Sequence, residues 1–291
     1  MAGFSLKRYT NRQVVIKMKD IIFRLLDFIN NHKTRDTNYF IALKLLGDVY
    51  KIPDMNISAL ADSCFTSPAA VTRFCRRIGY KNFQEFKDFA KISVMDESPA
   101  FQSVQELENP EQTGELLQKV LYEKIVGWLK ASENIIDVEK VQGIMECIHR
   151  ANKVSFYGTQ LSQAMAQDFQ FRLVRLGKFV SAYSDVQEQK ADMDDLDENS
   201  VAIVASPSGR FIVGNEELMT KLTKTKAKII LITHNQEAAL LEKADIVYYL
   251  NGDSHDKTGF SSERFSLMYF FDFAIAYYQQ LFYKKSADDM E

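Results

Sequence analysis

Cysteine is scarce in this 291-residue chain, with three residues, and histidine hardly more common, with four. Cys64, Cys75 and Cys147 form no Cys-x-x-Cys pair, which argues against a disulfide framework and leaves a reducing cytoplasm as the expected setting. His32, His149, His234 and His255 are far apart and lack metal-ligand spacing, so no metal site is expected. No cofactor motif is recognised either. Met1 to Thr10 lacks the apolar core of a secretory signal. The most aromatic stretch, Phe265–Tyr283, is interrupted by Asp272, Gln279 and Gln280 and barely reaches the ~20 residues that a membrane span requires. Core packing is the first reading of that stretch, and a subunit interface the second.

Net charge is nearly absent overall but not locally. Residues 1–95 carry 16 Lys and Arg against 8 Asp and Glu, a surplus of +8; the remainder carries 20 against 31, a balance of −11. A basic third on an acidic remainder fits a nucleic-acid module fused to something that does not bind nucleic acid. At 46% hydrophobic residues, the chain has the composition of a soluble globular protein and the length for two domains. The expected boundaries are a helical domain over 1–95, a linker over 96–112 containing Pro99 and Pro110, and a second domain over 113–291. Residues 1–12, with Lys7, Arg8 and Arg12, read as a mobile arm. The acidic run Asp192–Glu198 reads as a solvated helix end.

In the basic third, apolar residues recur at helical spacing over Val14–Ile29 and Tyr39–Tyr50, with Pro53 ending the second helix. Asn82 caps a last helix whose Phe83, Phe86, Phe89 and Ala90 face the core. Two short helices lie between. Ser58 is positioned to cap ISALADSC, with Leu60 and Ala61 inward. The link CFTS then leads into SPAAVTRFCRRIG, where Ser67 is a preferred N-cap. Pro68 sits where a missing N–H costs nothing, and Gly79 stops the helix in the left-handed conformation. Val71, Phe74, Cys75 and Ile78 make one apolar face, and Thr72, Arg73, Arg76 and Arg77 lie mostly off it. An arginine-rich face alone is commonly just a solvated surface. Two short helices joined by a tight turn, at about 57–79, are instead the spacing of a helix-turn-helix, whose second helix enters a major groove. The candidate DNA contacts are Ser67, Thr72, Arg73, Arg76, Arg77 and Lys81.

The run ISALADSCFTSPAAVTRFCRRIGYKNFQEFKDFA, Ile57 to Ala90, resembles the N-terminal domain of the RpiR family of bacterial transcriptional regulators. The resemblance rests on Val71-Thr72-Arg73-Phe74, the following Arg-Arg-Ile-Gly-Tyr and the Phe-containing last helix. It implies a second domain of the SIS (sugar isomerase) type that senses a sugar phosphate.

The remainder carries two amphipathic helices, Leu116–Leu129 and Val138–Ile148, followed by five short apolar runs. The runs are Lys153–Tyr157, Lys178–Tyr183, Ser200–Ala205, Lys228–Thr233 and Ile246–Leu250, separated by helical stretches. That pattern predicts an α/β domain with a five-stranded parallel sheet flanked by helices, so the whole chain reads as an all-α helix-turn-helix domain followed by an α/β domain. Ligands bind such sheets at the C-terminal ends of the strands. Two strand-end loops there, Gly158–Ser162 and Ser206–Gly209, are rich in small hydroxyl residues and each opens a helix. Free N–H groups and hydroxyls suit a phosphate, although helix capping alone would also explain them.

Residues 113–285 resemble the SIS domain, whose phosphate loops run Gly-x-Gly-x-Ser and Ser-x-Ser-Gly-x-Thr. Gly158 and Ser162 match the first loop, with Gln160 at its middle glycine. Ser206, Ser208 and Gly209 match the second, with Phe211 at its threonine. The resemblance implies that Ser162, Ser206 and Ser208 contact phosphate. Phe211 removes a hydroxyl and adds bulk where the phosphate would lie. Glu263 and Arg264 are placed to reach the sugar, or to cap the last helix.

The leading expectation is a regulator of carbohydrate metabolism, not an enzyme, that binds double-stranded DNA and a phosphorylated sugar as a homodimer or homotetramer. One alternative is a sugar-phosphate aldose–ketose isomerase with an accessory helical domain, for which no histidine stands in the candidate loops and only Glu216, Glu217 and Glu263 offer a nearby base. Another is a regulator whose SIS-like domain only dimerises.

Overall fold

The computed structural model describes residues 21–32, 34–95, 110–236, 240–252 and 262–283, and the chain divides into two compact units, Met1–Pro99 and Ala100–Glu291. Each unit has its own core.

The first unit is helical: Ile21–Asn31 (α1), Thr37–Gly47 (α2), Ile57–Ser63 (α3), Pro68–Arg77 (α4) and Phe83–Met95 (α5). Residues 14–20 of the first expected helix, and the arm before it, lie outside the described residues. The helix expected to run to Tyr50 stops at Gly47, and Pro53 sits inside a 3-10 turn over Val49–Asp54. Ile21, Leu25, Ile41, Leu45, Ile52, Phe74 and Phe86 are fully buried, so every one of these helices except α3 sends at least one large side chain inward, and α3 adds Leu60 and Ala61. The cap of α3 differs from expectation. Asn56 accepts from Ser58 N at 2.8 Å and Ala59 N at 3.4 Å, so Ser58 is a donor in the first turn and not the cap. Asn82 caps α5 as expected, through Glu85 N at 2.8 Å.

The second unit begins with α6 (Pro110–Ile135) and α7 (Val138–Arg150). Residues 110–112, expected in the linker, are therefore helical, and 96–109 lie outside the described residues. There follow β1 (Lys153–Tyr157), α8 (Gln160–Arg175), α9 (Val186–Asp192), β2 (Ser200–Ala205), α10 (Arg210–Gly214), α11 (Glu216–Leu222), β3 (Lys228–Thr233), β4 (Ile246–Tyr249) and α12 (Ser262–Phe282). Of the helix expected around 237–242, residues 237–239 are outside the described set, and Leu241–Lys243 is a 3-10 turn.

The sheet has four parallel strands in the order β1-β2-β3-β4, not five. The Lys178–Tyr183 segment meets β1 only at a single bridge, Ser155 with Ser181. Phe156 N donates to Ser181 O at 2.7 Å and Ser181 N to Val154 O at 2.8 Å. On either side Phe179 and Tyr183 are exposed, and the Lys178 ammonium turns back onto the carbonyls of His149 and Ala151. An edge segment with solvent-facing aromatics and one bridge is not a strand.

Alternation along the strands builds two cores. Val154, Phe156, Val201, Ile203, Ile230 and Ile232 face a layer from α7, α8 and α12. Tyr157, Ala202, Val204, Ile229 and Leu231 face the layer formed by α10 and α11. The aromatic α12 is a core helix: Phe270, Phe271 and Tyr278 are buried against the first face. The acidic run is not wholly solvated. Asp192 is buried, accepts from Tyr157 Oη at 2.8 Å and pairs with Lys153 Nζ at 2.9 Å. Among the described residues, no helix is long and apolar enough to cross a membrane.

Candidate functional site

The helix-turn-helix consists of α3, the turn Cys64–Ser67 and α4. Ser67 caps α4 by accepting from Ala70 N at 3.2 Å, Pro68 opens it and Gly79 follows it at φ 95. Arg24 of α1 donates to Ile78 O at 2.7 Å, satisfying the helix end, and its guanidinium occupies the space that a side chain at residue 79 would need. Val71, Phe74 and Cys75 are buried, while burial pushes the Cys75 thiol up to about 12, so it is inert packing.

The six candidate DNA contacts differ in how committed they already are. Ser67 is exposed but serves as the cap. Thr72 donates to Pro68 O at 3.0 Å. Arg76 donates from Nε to Lys81 O at 3.0 Å, which orients its guanidinium and ties the helix to the loop carrying Lys81. Lys81 is exposed, and its backbone N–H bonds the Glu85 carboxylate. Arg77 lies 5.3 Å over the Phe28 ring, a packing role. Arg73 is exposed and has no partner among the described residues. The turn holds a feature that sequence reading passed over: Phe65 sits at φ 51 with its side chain 99% exposed.

In the second unit, the C-terminal ends of β1 and β2 and the start of α12 enclose a cleft of about 200 Å³. Ser162, Ser206, Ser208 and Glu263 line it, together with Gln160, Arg210, Phe211 and Arg264. Gly158 and Gly209, also expected there, are not among its lining residues but adjoin ones that are. A Cβ at Gly158 would come within 3.1 Å of Ala205 O and 3.3 Å of Ser162 Cβ, so a larger residue there would be crowded between the ends of β1 and β2 and the start of α8. Gly209, at φ 78, leaves room for Asn235, whose amide donates to Ser208 O at 2.9 Å.

Three kinds of donor line the cleft without side-chain partners among the described residues. Thr159 precedes α8 but makes no side-chain cap bond, leaving first-turn N–H groups open. Ser162 is buried in that turn. Ser206 is 2% exposed, and its hydroxyl has no hydrogen-bond partner among the described residues. A buried hydroxyl left unpaired costs about 1–3 kcal/mol, so one beside a solvent-open cleft marks a place for a ligand atom. Ser208 accepts from Arg210 Nε at 2.8 Å, which holds a guanidinium at the rim. Phe211 lines the cleft but is buried, at 6% exposure, and belongs to the core cluster on the α10–α11 face, so the cleft remains open beside it.

The end of β3 braces this arrangement. His234 N and Thr233 Oγ1 both donate to Pro207 O, at 2.9 Å each. His234 Nε2 then shares a 2.6 Å hydrogen bond with Glu263 Oε1. Sequence reading placed no histidine in the site. The signal was the position of His234 one residue beyond a strand end, and its partner lies 29 residues further on, at the N-terminus of α12. Glu216 and Glu217, the other carboxylates considered, do not line the cleft, and Glu217 pairs with Lys190.

Comparison with known proteins gives two family matches: residues 24–96 match the helix-turn-helix domain of the rpiR family and residues 147–277 the SIS domain. A helix-turn-helix-type transcriptional regulator of Caldanaerobacter subterraneus is 25% identical over 217 residues, spanning 73% of this chain and 74% of that one. The regulator GlvR of Bacillus subtilis is 23% identical over 189 residues, 64% of this chain and 67% of its own. Among solved structures, the Vibrio vulnificus NanR protein complexed with ManNAc-6P aligns over 89% of this chain and 91% of its own, with a TM-score of 0.50 at 17% identity. The sugar isomerase domain of an RpiR transcription factor from Sphaerobacter thermophilus covers 57% of this chain and 91% of its own, with a TM-score of 0.50 at 17% identity. At these identities the structural likeness speaks for the fold.

Proposed function

We propose that this chain, a member of the RpiR family with its helix-turn-helix domain followed by a SIS domain, is a cytoplasmic DNA-binding regulator of carbohydrate metabolism. Its α4 reads double-stranded DNA, and its SIS cleft senses a phosphorylated sugar. The observation that carries the second half is the buried hydroxyl of Ser206, without a partner among the described residues, in a cleft that also holds Ser162, Ser208 and the N-terminus of α8. Neutral hydroxyls and helix N–H groups stabilise a dianion without a buried countercharge. Arg210 and Arg264, both exposed at the rim, add positive charge. NanR, whose structure holds a phosphorylated amino sugar, is a precedent for the ligand class.

On DNA, a homodimer or a dimer of dimers would present two copies of α4 to half-sites about one helical turn apart, roughly 34 Å. A thermal-shift panel of phosphorylated sugars against their unphosphorylated parents tests the sensing role. The phosphorylated members should raise the melting temperature and the parents should not, because a ligand that binds only the native state stabilises it. No response to any phosphorylated sugar would leave the SIS domain as a dimerisation module.

A second reading draws on the His234–Glu263 pair, which supplies the cleft with a carboxylate of the kind an aldose–ketose isomerase uses as base. Coupled assays with hexose and pentose phosphates decide it: turnover well above background would make the protein an enzyme with a regulatory domain.

A further inference from the structure

Gln160 and Phe65 are the non-glycine residues with positive φ among the described residues, and Gln160 lies in the cleft. The backbone there is dictated by its neighbours. Gly158 has little room for a side chain beside Ala205 O, Thr159 is extended at φ −139, and α8 begins at residue 160. The chain reverses from strand to helix in one step, and that step requires φ 51. A left-handed L-residue is disfavoured, whereas glycine adopts the conformation without penalty. Local geometry therefore argues against glutamine at this position.

The folded chain gains nothing visible in return. The Gln160 side chain is exposed, packs in no core cluster and makes no hydrogen bond among the described residues. It stands at the cleft wall beside Ser162, Ser206 and Ser208. A carboxamide offers both a donor and an acceptor, whereas a phosphate dianion only accepts. The hydroxyls and the helix N–H groups already serve the phosphate. The carboxamide suits a group that both gives and takes a hydrogen bond, such as a sugar hydroxyl or an acylamino substituent.

We infer that Gln160 is the residue that selects among phosphorylated sugars, by pairing its carboxamide with a hydroxyl or acylamino group of the sugar, while the serine loops hold the phosphate. The inference rests on the sugar-phosphate reading of the cleft. A polar group that pairs with the right ligand and is left unpaired by the wrong one discriminates between them by about tenfold or more.

The test uses the full chain and calorimetric titration with glucose 6-phosphate, fructose 6-phosphate, N-acetylglucosamine 6-phosphate, arabinose 5-phosphate and glycerol 3-phosphate. Gln160→Gly should raise the melting temperature by relieving the left-handed backbone. It should also shrink the spread of affinities across the panel by about tenfold, with glycerol 3-phosphate unchanged. Gln160→Ala should lose the same discrimination without the thermal gain, because it keeps the strain and removes only the carboxamide. If both variants keep the wild-type ranking and spread, or if the wild type does not discriminate, selectivity resides elsewhere and the inference falls alone. If the wild type binds no member of the panel, the sugar-phosphate reading falls and this inference with it.

Discussion

Replacing Ser206 by alanine should separate folding from binding. The hydroxyl is buried and has no partner among the described residues, so its removal deletes a desolvated group without breaking a described bond. Denaturant unfolding should show unchanged stability or a gain of up to ~1 kcal/mol. Affinity for a phosphorylated sugar should drop, by the ~1.5–3 kcal/mol of a hydrogen bond to a charged group, or about 10- to 150-fold. A variant that loses stability and keeps affinity would place Ser206 in the scaffold. Tyr157 makes the opposite case, a buried hydroxyl fully engaged with Asp192. Burial, then the Asp192 charge, raises the Tyr157 phenol above its usual 10.0. Lys153 is also raised from 10.5: burial opposes its charge, but its bonds to Asp192 and Asp195 outweigh that. Groups raised in the folded state give stability that is complete below the unfolded value and lost as pH climbs. Unfolding free energy should therefore hold level up to about pH 9–10 and decline above it, less steeply in Tyr157→Phe. At this scale the sequence was only partly readable. Ser162, Ser206 and Ser208 stood out because small hydroxyl residues followed strand-like runs. His234, Tyr157 and Asp192 did not, because what each does depends on a partner 29 or 35 residues away.

Among the elements, α4 and α12 hold the candidate contacts. On α4, Arg73 and Arg77 are equivalent in sequence but not in structure. Arg73 is exposed with no partner among the described residues, while Arg77 packs over Phe28. Arg73→Ala should weaken operator binding by ~1–3 kcal/mol in a gel-shift titration and leave the melting temperature nearly unchanged. Arg77→Ala should mainly lower stability, by the ~0.5–1 kcal/mol of an exposed cation–π contact. Equal losses of DNA affinity from both would mean that α4 presents a different face. On α12, four consecutive residues divide between two neighbours. Glu263 and Arg264 line the cleft. Phe265 stacks on Trp128 of α6 at 5.6 Å and 22°, and Ser266 bonds Ser132 of α6 at 2.8 Å. Trp128 is the single tryptophan of the chain, so its emission should change as a sugar phosphate saturates the cleft, and Trp128→Phe should abolish the signal. Emission that stays constant through a titration that calorimetry shows to be saturating would mean that α12 does not respond to the ligand. The longer helices were legible because their apolar spacing repeats over several turns, and β1, β2 and β3 because nearly all their residues are buried; β4, where only Tyr248 is buried, was legible from its apolar run alone. Lys178–Tyr183 passed for a strand because composition shows which residues can sit in a sheet, not whether an edge offers them a partner. Only Ser181 found one.

Across the whole molecule, the +8 surplus of residues 1–95 against the −11 balance of the rest favours DNA at the first end of the chain. A polyanion is drawn to the first and repelled by the second. DNA binding should accordingly be steeply salt-dependent, with a slope of about −0.9 per neutralised phosphate. Sensing requires more than two occupied sites: the sites must exchange free energy, and that exchange is symmetric. If a sugar phosphate changes operator affinity by some factor, the operator must change sugar affinity by the same factor, with a coupling of ~1–3 kcal/mol. Two measurements check this together: operator anisotropy titrations with and without saturating sugar phosphate, and calorimetric sugar titrations with and without operator. Matching factors of about 5- to 150-fold, of either sign, are the expected outcome. A sugar phosphate that raises the melting temperature yet leaves operator affinity untouched would show a ligand bound without consequence for the DNA end. The SIS domain would then act on the helix-turn-helix only by bringing two copies of it together.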